Sequence, residues 1–151
     1  AKKVVQQIKS SLQPFGNSEK FCAYGNIATN KFAVDKLTEL HRLGVQLIHC
    51  PQQAGKTDAA DRVMVVDAMN FLLRNSEGAT ICLISGDNDF AYLLASLMDA
   101  PKWTTVVIAR HAVRQSTLNE NADANIVWED LLGTEYDAKS DKTCKSKRNM
   151  K

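Results

Sequence analysis

The chain has 151 residues, 44% of them hydrophobic and 24% charged, with seven Gly and three Pro. That length suits one domain able to bury a core without disulfides or a structural metal, and the composition excludes collagen-like, mucin-like and wholly disordered classes. No apolar run approaches the roughly 20 residues of a membrane-spanning helix, so no membrane partner is expected.

The net charge of +2 averages two unlike parts. Lys139 to Lys151 carry six basic groups and one acid, which leaves 13 basic and 16 acidic groups in the first 138 residues. The basic stretch over 136–151 has almost no apolar residues and reads as a disordered tail. It could touch phosphate, act as a targeting signal or serve as a solvated linker.

Strand-like and helix-like segments alternate along the rest. Residues 2–12 predict a helix with Val4, Val5, Ile8 and Leu12 on one stripe, ended by Gln13-Pro14-Phe15-Gly16-Asn17. Phe21 to Tyr24 predict a short strand stopped by Gly25. An amphipathic helix follows over 31–43, with Gly44 as its C-terminal cap, then a strand over 45–49. After a loop from Pro51 to Thr57 comes a long helix over 58–74. Thr80 to Ile84 is a nearly all-apolar strand, the pattern of one buried on both faces of a parallel sheet. A helix over 89–98, a strand over 104–109, a short helix over 117–123, a strand over 125–128 and a last helical turn over 129–132 complete the pattern.

This alternation predicts an α/β fold, a three-layer α/β/α sandwich with a mainly parallel sheet. The chain nonetheless opens with a helix, where doubly wound domains open with a central strand. The first strand is therefore expected to be missing from this sequence. Its absence removes the middle of the sheet and leaves two edges. The lack of an initiator Met fits a chain that begins inside a longer protein, through which protein partners could be engaged.

None of the four cysteines, Cys22, Cys50, Cys82 and Cys144, forms a C-x-x-C pair, and the first three lie in or beside apolar strand-like runs. They read as small core residues in a reducing, intracellular compartment, cytoplasmic or nuclear, with an organelle also open. The first residues lack the apolar stretch of a secretory signal.

In parallel sheets of this kind the site lies beyond the carboxyl ends of the strands. Asp87 and Asp89 follow the 80–84 strand directly. Asp58 and Asp61, three residues apart on one helix face, open the helix after the 45–49 strand. Four carboxylates from two loops can thus converge on one rim. Such hard oxygen ligands suit Mg²⁺ or Mn²⁺, which lowers the pKa of bound water and stabilises charge on phosphate oxygens. The implied chemistry is phosphodiester hydrolysis. Each acid also has a plain structural use, as a helix cap, a first-turn acid or a turn residue. His41, His49 and His111 read as structural or exposed. Gly55-Lys56-Thr57 lacks the upstream Gly of a phosphate-binding P-loop.

Ser85-Gly86-Asp87-Asn88-Asp89-Phe90 after an apolar strand resembles the S-G-D-x-D-F signature of NYN domains, which have the PIN-like ribonuclease fold. Lys56-Thr57-Asp58-Ala59-Ala60-Asp61, with Asp67 six residues later, is similar to the K-x-D-A-x-D-x5-D stretch of the meiosis regulator and mRNA stability factor (limkain-b) group. The likeness runs over about 4–132 and includes the Ala23-Tyr24-Gly25 strand end and Trp128. It implies a metal-dependent endoribonuclease acting on RNA, with residues 1–135 as the domain. By the same resemblance Asp61, Asp87 and Asp89 hold the metal, Asp58 assists or positions water, and Asp67 orients a neighbour. Ser85 and Asn88 line the rim beside Asn26, and Lys56 meets a phosphate.

Two departures bear on activity. The family's opening strand, which ends in a metal-binding Asp, is expected upstream of Ala1, and Asn26 stands where an Asp is expected. The alternative reading is therefore a catalytically impaired RNA-binding or protein-interaction module on the same fold. A Toprim-type nuclease or an Asp-x-Asp phosphatase fits less well, because each needs an early acidic strand end that this sequence lacks.

Overall fold

A computed structural model describes residues 1–28, 34–51, 58–98, 102–111 and 116–134. The basic tail and Lys56 lie outside them. The elements follow the predicted alternation: α1 (Lys2–Leu12), β1 (Cys22–Gly25), α2 (Val34–Arg42), β2 (Gln46–His49), α3 (Ala59–Arg74), β3 (Ala79–Ile84), α4 (Ala91–Met98), β4 (Trp103–Ala109), α5 (Thr117–Glu120), β5 (Ala124–Val127) and α6 (Trp128–Leu132). Two three-residue 3-10 turns, Gln13–Phe15 and Asn88–Phe90, close α1 and lead into α4. Trp128 opens α6 instead of ending the last strand.

All pairings are parallel. β1 pairs with β2, and β3–β4–β5 form a second ladder with β4 in its centre. β4 carries the core: Thr105 through Ala109 are all buried, with Val106 and Val107 at 0% exposure. The sequence points to the 80–84 strand as the one covered on both faces, but β3 is an edge of its ladder and only Leu83 on it is buried. An apolar run says a strand can be buried, and the neighbours decide which strand is.

Strand alternation assigns the layers. Leu83, Val107 and Ala109 share one face and pack with Phe90, Leu94 and Leu118, joined by Met64 and Val65 of α3. On the opposite face, Thr80 donates its hydroxyl to the Phe15 carbonyl at 3.1 Å, which sets the turn after α1 there. α1 in turn packs against α6 and reaches α2 through Lys9 Nζ to the Leu43 carbonyl at 3.3 Å. α3 also packs against β1, where the Tyr24 hydroxyl donates to Asp67 at 3.1 Å.

Helices on both faces therefore span the two ladders, while no described strand joins β1 to β3. The outcome is an α/β/α arrangement of PIN-like type in which the described parallel strands form two ladders.

Two glycines are needed by the backbone. Gly44 ends α2 at φ +81, the cap expected from the sequence. Gly78, at φ +114 before β3, passes so close to the Lys102 carbonyl that a Cβ there would collide with it. That contact abuts the Ala79–Trp103 register pair which starts the three-stranded ladder.

Candidate active site

The rim beyond β3 is built on one anchor. Phe90 is 2% exposed and sits in the core cluster, so it pins the turn that carries Asp87 and Asp89. Asp87 caps that turn: its Oδ1 accepts from the Asp89 amide at 3.1 Å, and its own amide donates to Ser85 Oγ at 3.1 Å. Both carboxylates stay exposed. Asn88 does more than line the rim. Its Oδ1 accepts from the Leu118 amide at 3.4 Å and ties the loop to α5, which Asn121 also fastens to the Ala91 carbonyl at 3.0 Å.

α3 supplies the other acids. Asp61 lies in its first turn and is half-buried. Its carboxyl is pushed above the ordinary range, first by burial and then by the charges of Asp87, Asp58 and Asp89 in that order. Carboxylates from two separate segments are thus near enough for their charges to bear on one group.

Asp58 precedes α3 but makes no capping hydrogen bond with its side chain. Its Oδ2 receives Arg62 Nε at 3.0 Å and also the Arg62 Nη2 group. Arg62 is absent from the sequence-based site, although its i,i+4 spacing from Asp58 is the kind that pairs charges on a helix. Asp67, a turn further along, holds Tyr24 rather than joining the rim.

At the end of β1, Asn26 precedes Ile27, whose amide donates to His49 Nδ1 at 3.1 Å. His49 is thereby a structural histidine that links the ends of β1 and β2. Beyond β4, Glu129 is 8% exposed; it accepts from the His111 amide at 2.9 Å and faces Arg110 at 3.6 Å. Glu129 lies eighteen positions from His111, and no local pattern announces the pair. Among the described residues, no three His, Cys, Asp or Glu side chains lie close enough together to hold a metal ion in this geometry.

Parallel strands flanked by helices define an α/β domain of the PIN-like fold. The NYN domain model matches residues 1–129, and the chain belongs to that family. Its members are PIN-like nucleases that are generally metal-dependent and RNA-binding. A crystal structure of a protein of unknown function from Vibrio parahaemolyticus is similar over 84% of this chain and 79% of that one, with a TM-score of 0.69 and 18% identity. At that identity the likeness is one of fold. No curated protein matches the chain significantly. No described helix is long and apolar enough to cross a membrane.

Proposed function

We propose that this NYN domain is a metal-dependent endoribonuclease that hydrolyses RNA phosphodiesters at the rim formed by Asp58, Asp61, Asp87 and Asp89. The observation that carries the reading is the placement of the Asp87–Asp89 turn after β3 near the first turn of α3, where Asp61, its carboxyl raised first by burial, also feels the charges of Asp87, Asp58 and Asp89. A group of carboxylates that repel one another suits a hard divalent cation, Mg²⁺ or Mn²⁺, better than solvent alone. Asp61, Asp87 and Asp89 would hold it and Asp58 would assist. When bound, such an ion acidifies a water ligand and neutralises charge on phosphate oxygens.

The chain's own residues do the positioning. The Asp89 amide and Ser85 fix the orientation of the Asp87 turn, and Phe90 keeps that turn from drifting. Arg62 holds Asp58 at the rim's edge and offsets part of its charge. Lys56 would meet a phosphate, and Asn26 would line the rim as a neutral group. The reading also sets the domain boundary near residue 135, with 136–151 as a basic tail. The stretch from Lys56 to Asp67 supports a place in the meiosis regulator and mRNA stability factor group.

The test is cleavage of a labelled single-stranded RNA by the full-length protein in Mg²⁺ or Mn²⁺. D87N is expected to lose at least about 100-fold in rate with an unchanged melting temperature, because Asn caps a helical turn nearly as well as Asp. A full-length protein that cleaves no RNA in either metal would end this reading.

A second reading is a catalytically impaired RNA-binding or protein-interaction module. It draws on the spread of the carboxylates, no three of which approach ligand distance among the described residues, and on Asn26. It predicts salt-sensitive RNA binding with no cleavage and no effect of D87N.

A further inference from the structure

The most exposed large apolar side chain among the described residues is Tyr92, at 84%. Its neighbours on α4 face the other way: Ala91, Leu93, Leu94 and Leu97 are all buried. Tyr92 is not part of an apolar stripe. Met98, the other exposed apolar residue of α4, is six positions on, about 240° round the helix. Among the described residues the Tyr92 hydroxyl makes no hydrogen bond; only its backbone carbonyl is engaged, by Ser96 Oγ at 2.8 Å. A tyrosine so exposed contributes little to the fold, since rings of this kind act through buried area and a satisfied hydroxyl.

Its place on the helix connects it to the rim. Tyr92 is three residues after Asp89, and the 3-10 turn Asn88–Phe90 runs directly into α4. Residues three apart along a helical segment are neighbours, with Cβ atoms about 5–6 Å apart. Helical side chains lean toward the N-terminus, so the patch a residue covers lies over the turn before it. Tyr92 and Asp89 therefore lie on the same side of this segment, with the Tyr92 ring open to solvent beside the turn that Phe90 anchors in the core.

We infer that Tyr92 is a stacking platform for an unpaired base of single-stranded RNA next to the phosphate at the Asp87–Asp89 rim. The inference rests on the RNA-directed reading above and adds a residue and a preference to it. The acids Asp87, Asp89, Asp58 and Asp61 do not themselves attract a phosphate backbone, so an uncharged contact beside them adds affinity that does not depend on the cation. The face of a base is such a contact, and any base supplies one. In a duplex the base faces are stacked on each other and unavailable to a ring outside the helix, so the platform favours unpaired strands. Nothing at Tyr92 reads hydrogen-bonding edges, so the preference among bases is weak.

The experiment measures binding of a fluorescent oligouridylate, roughly ten nucleotides long, and of a duplex hairpin, together with kcat and KM for cleavage. Y92A is expected to weaken oligouridylate binding about tenfold, within the ~5- to 150-fold that one base stack supports, and to raise KM without lowering kcat. Y92F restores the ring and with it the affinity. Hairpin binding is the weaker of the two and does not respond to Y92A. The residue is on the surface, so all variants are expected to melt as the parent does.

Equal oligouridylate affinity for Y92A and the parent overturns the platform, even where D87N abolishes cleavage and the nuclease reading stands. Loss of binding in Y92A alongside a parent that cleaves nothing leaves the platform standing and overturns the nuclease. A parent that binds no oligouridylate overturns both.

Discussion

The two halves of the sheet are built differently. The β3–β4–β5 ladder has a central strand buried from Thr105 through Ala109, a shared core cluster and reciprocal bonds between Thr105 and Asp123. The β1–β2 ladder has no strand residue that is fully buried, and it is held by Tyr24–Asp67 and the bond from Ile27 to His49. The rim draws on both regimes. Asp87 and Asp89 hang from the well-packed half, while Asp58 and Asp61 come from α3, which leans on both. The difference teaches that the rim depends mainly on the three-stranded half: Phe90 fixes the Asp87–Asp89 turn in its core cluster, and Met64 and Val65 bring α3 against the same cluster.

The largest expected effect is at the anchor. F90A should cost about 3–5 kcal/mol, because it empties a site 2% exposed at the heart of the cluster. Urea denaturation measures it, and a cost near zero would break the claim that the three-stranded half holds the turn. D123A should cost about 1–3 kcal/mol. The Asp123 carboxylate accepts from both the amide and the hydroxyl of Thr105, which is itself 2% exposed; D123A removes that acceptor from both donors and leaves only the bond from the residue-123 amide to the hydroxyl. Y24F, in the other half, should cost only about 1 kcal/mol, the worth of one ordinary hydrogen bond. If Y24F proved costlier than F90A, the contrast between the halves would be reversed.

Alkaline pH separates the halves further. Burial pushes the Cys82 thiol up to about 12 from 9.0. Burial, with Cys22 and Asp67 nearby, holds the Tyr24 hydroxyl well above its ordinary 10.0. Above these ordinary values the unfolded chain gives up protons that the folded one keeps. Stability therefore falls with rising pH, beginning near 9.0 through Cys82 and deepening above 10.0 through Tyr24. Melting temperatures across that range should show Y24F flattening only the upper part of the decline.

The smallest effect is at Asp61. Its charge is unfavourable in the fold, so D61N should raise stability slightly near neutral pH, by under about 0.5 kcal/mol after solvent screening. In the parent the same gain appears as pH falls through the raised carboxyl value. On the nuclease reading D61N also loses cleavage, so a small rise in melting temperature with lost activity would mark a residue kept for function.

Much of this was legible in the residues. The strands around Ala23, Leu47, Cys82, Val107 and Ile126 follow from short apolar runs bounded by Gly and polar turns. The acids at Asp87 and Asp61 stand out because both follow strand-like segments. Other features were not legible because they depend on partners distant in sequence. Glu129 is buried against the His111 amide, a partner eighteen positions away. Asn88 looks like a rim residue, yet it also fastens α5. Arg62 and Tyr92 were available from i,i+4 and i,i+3 spacing, but neither is conspicuous until the helix start is known.

By itself the sequence determined the order of elements, the parallel α/β class and the two acidic motifs. These follow from local periodicity, turn chemistry and the one-way geometry of β–α alternation. The tertiary structure alone decided which strand is central to its ladder, how helices on both faces span the two ladders, and which acids feel one another's charge. Those outcomes depend on which surfaces meet across long separations, where burial and Coulomb forces act and sequence spacing carries no information.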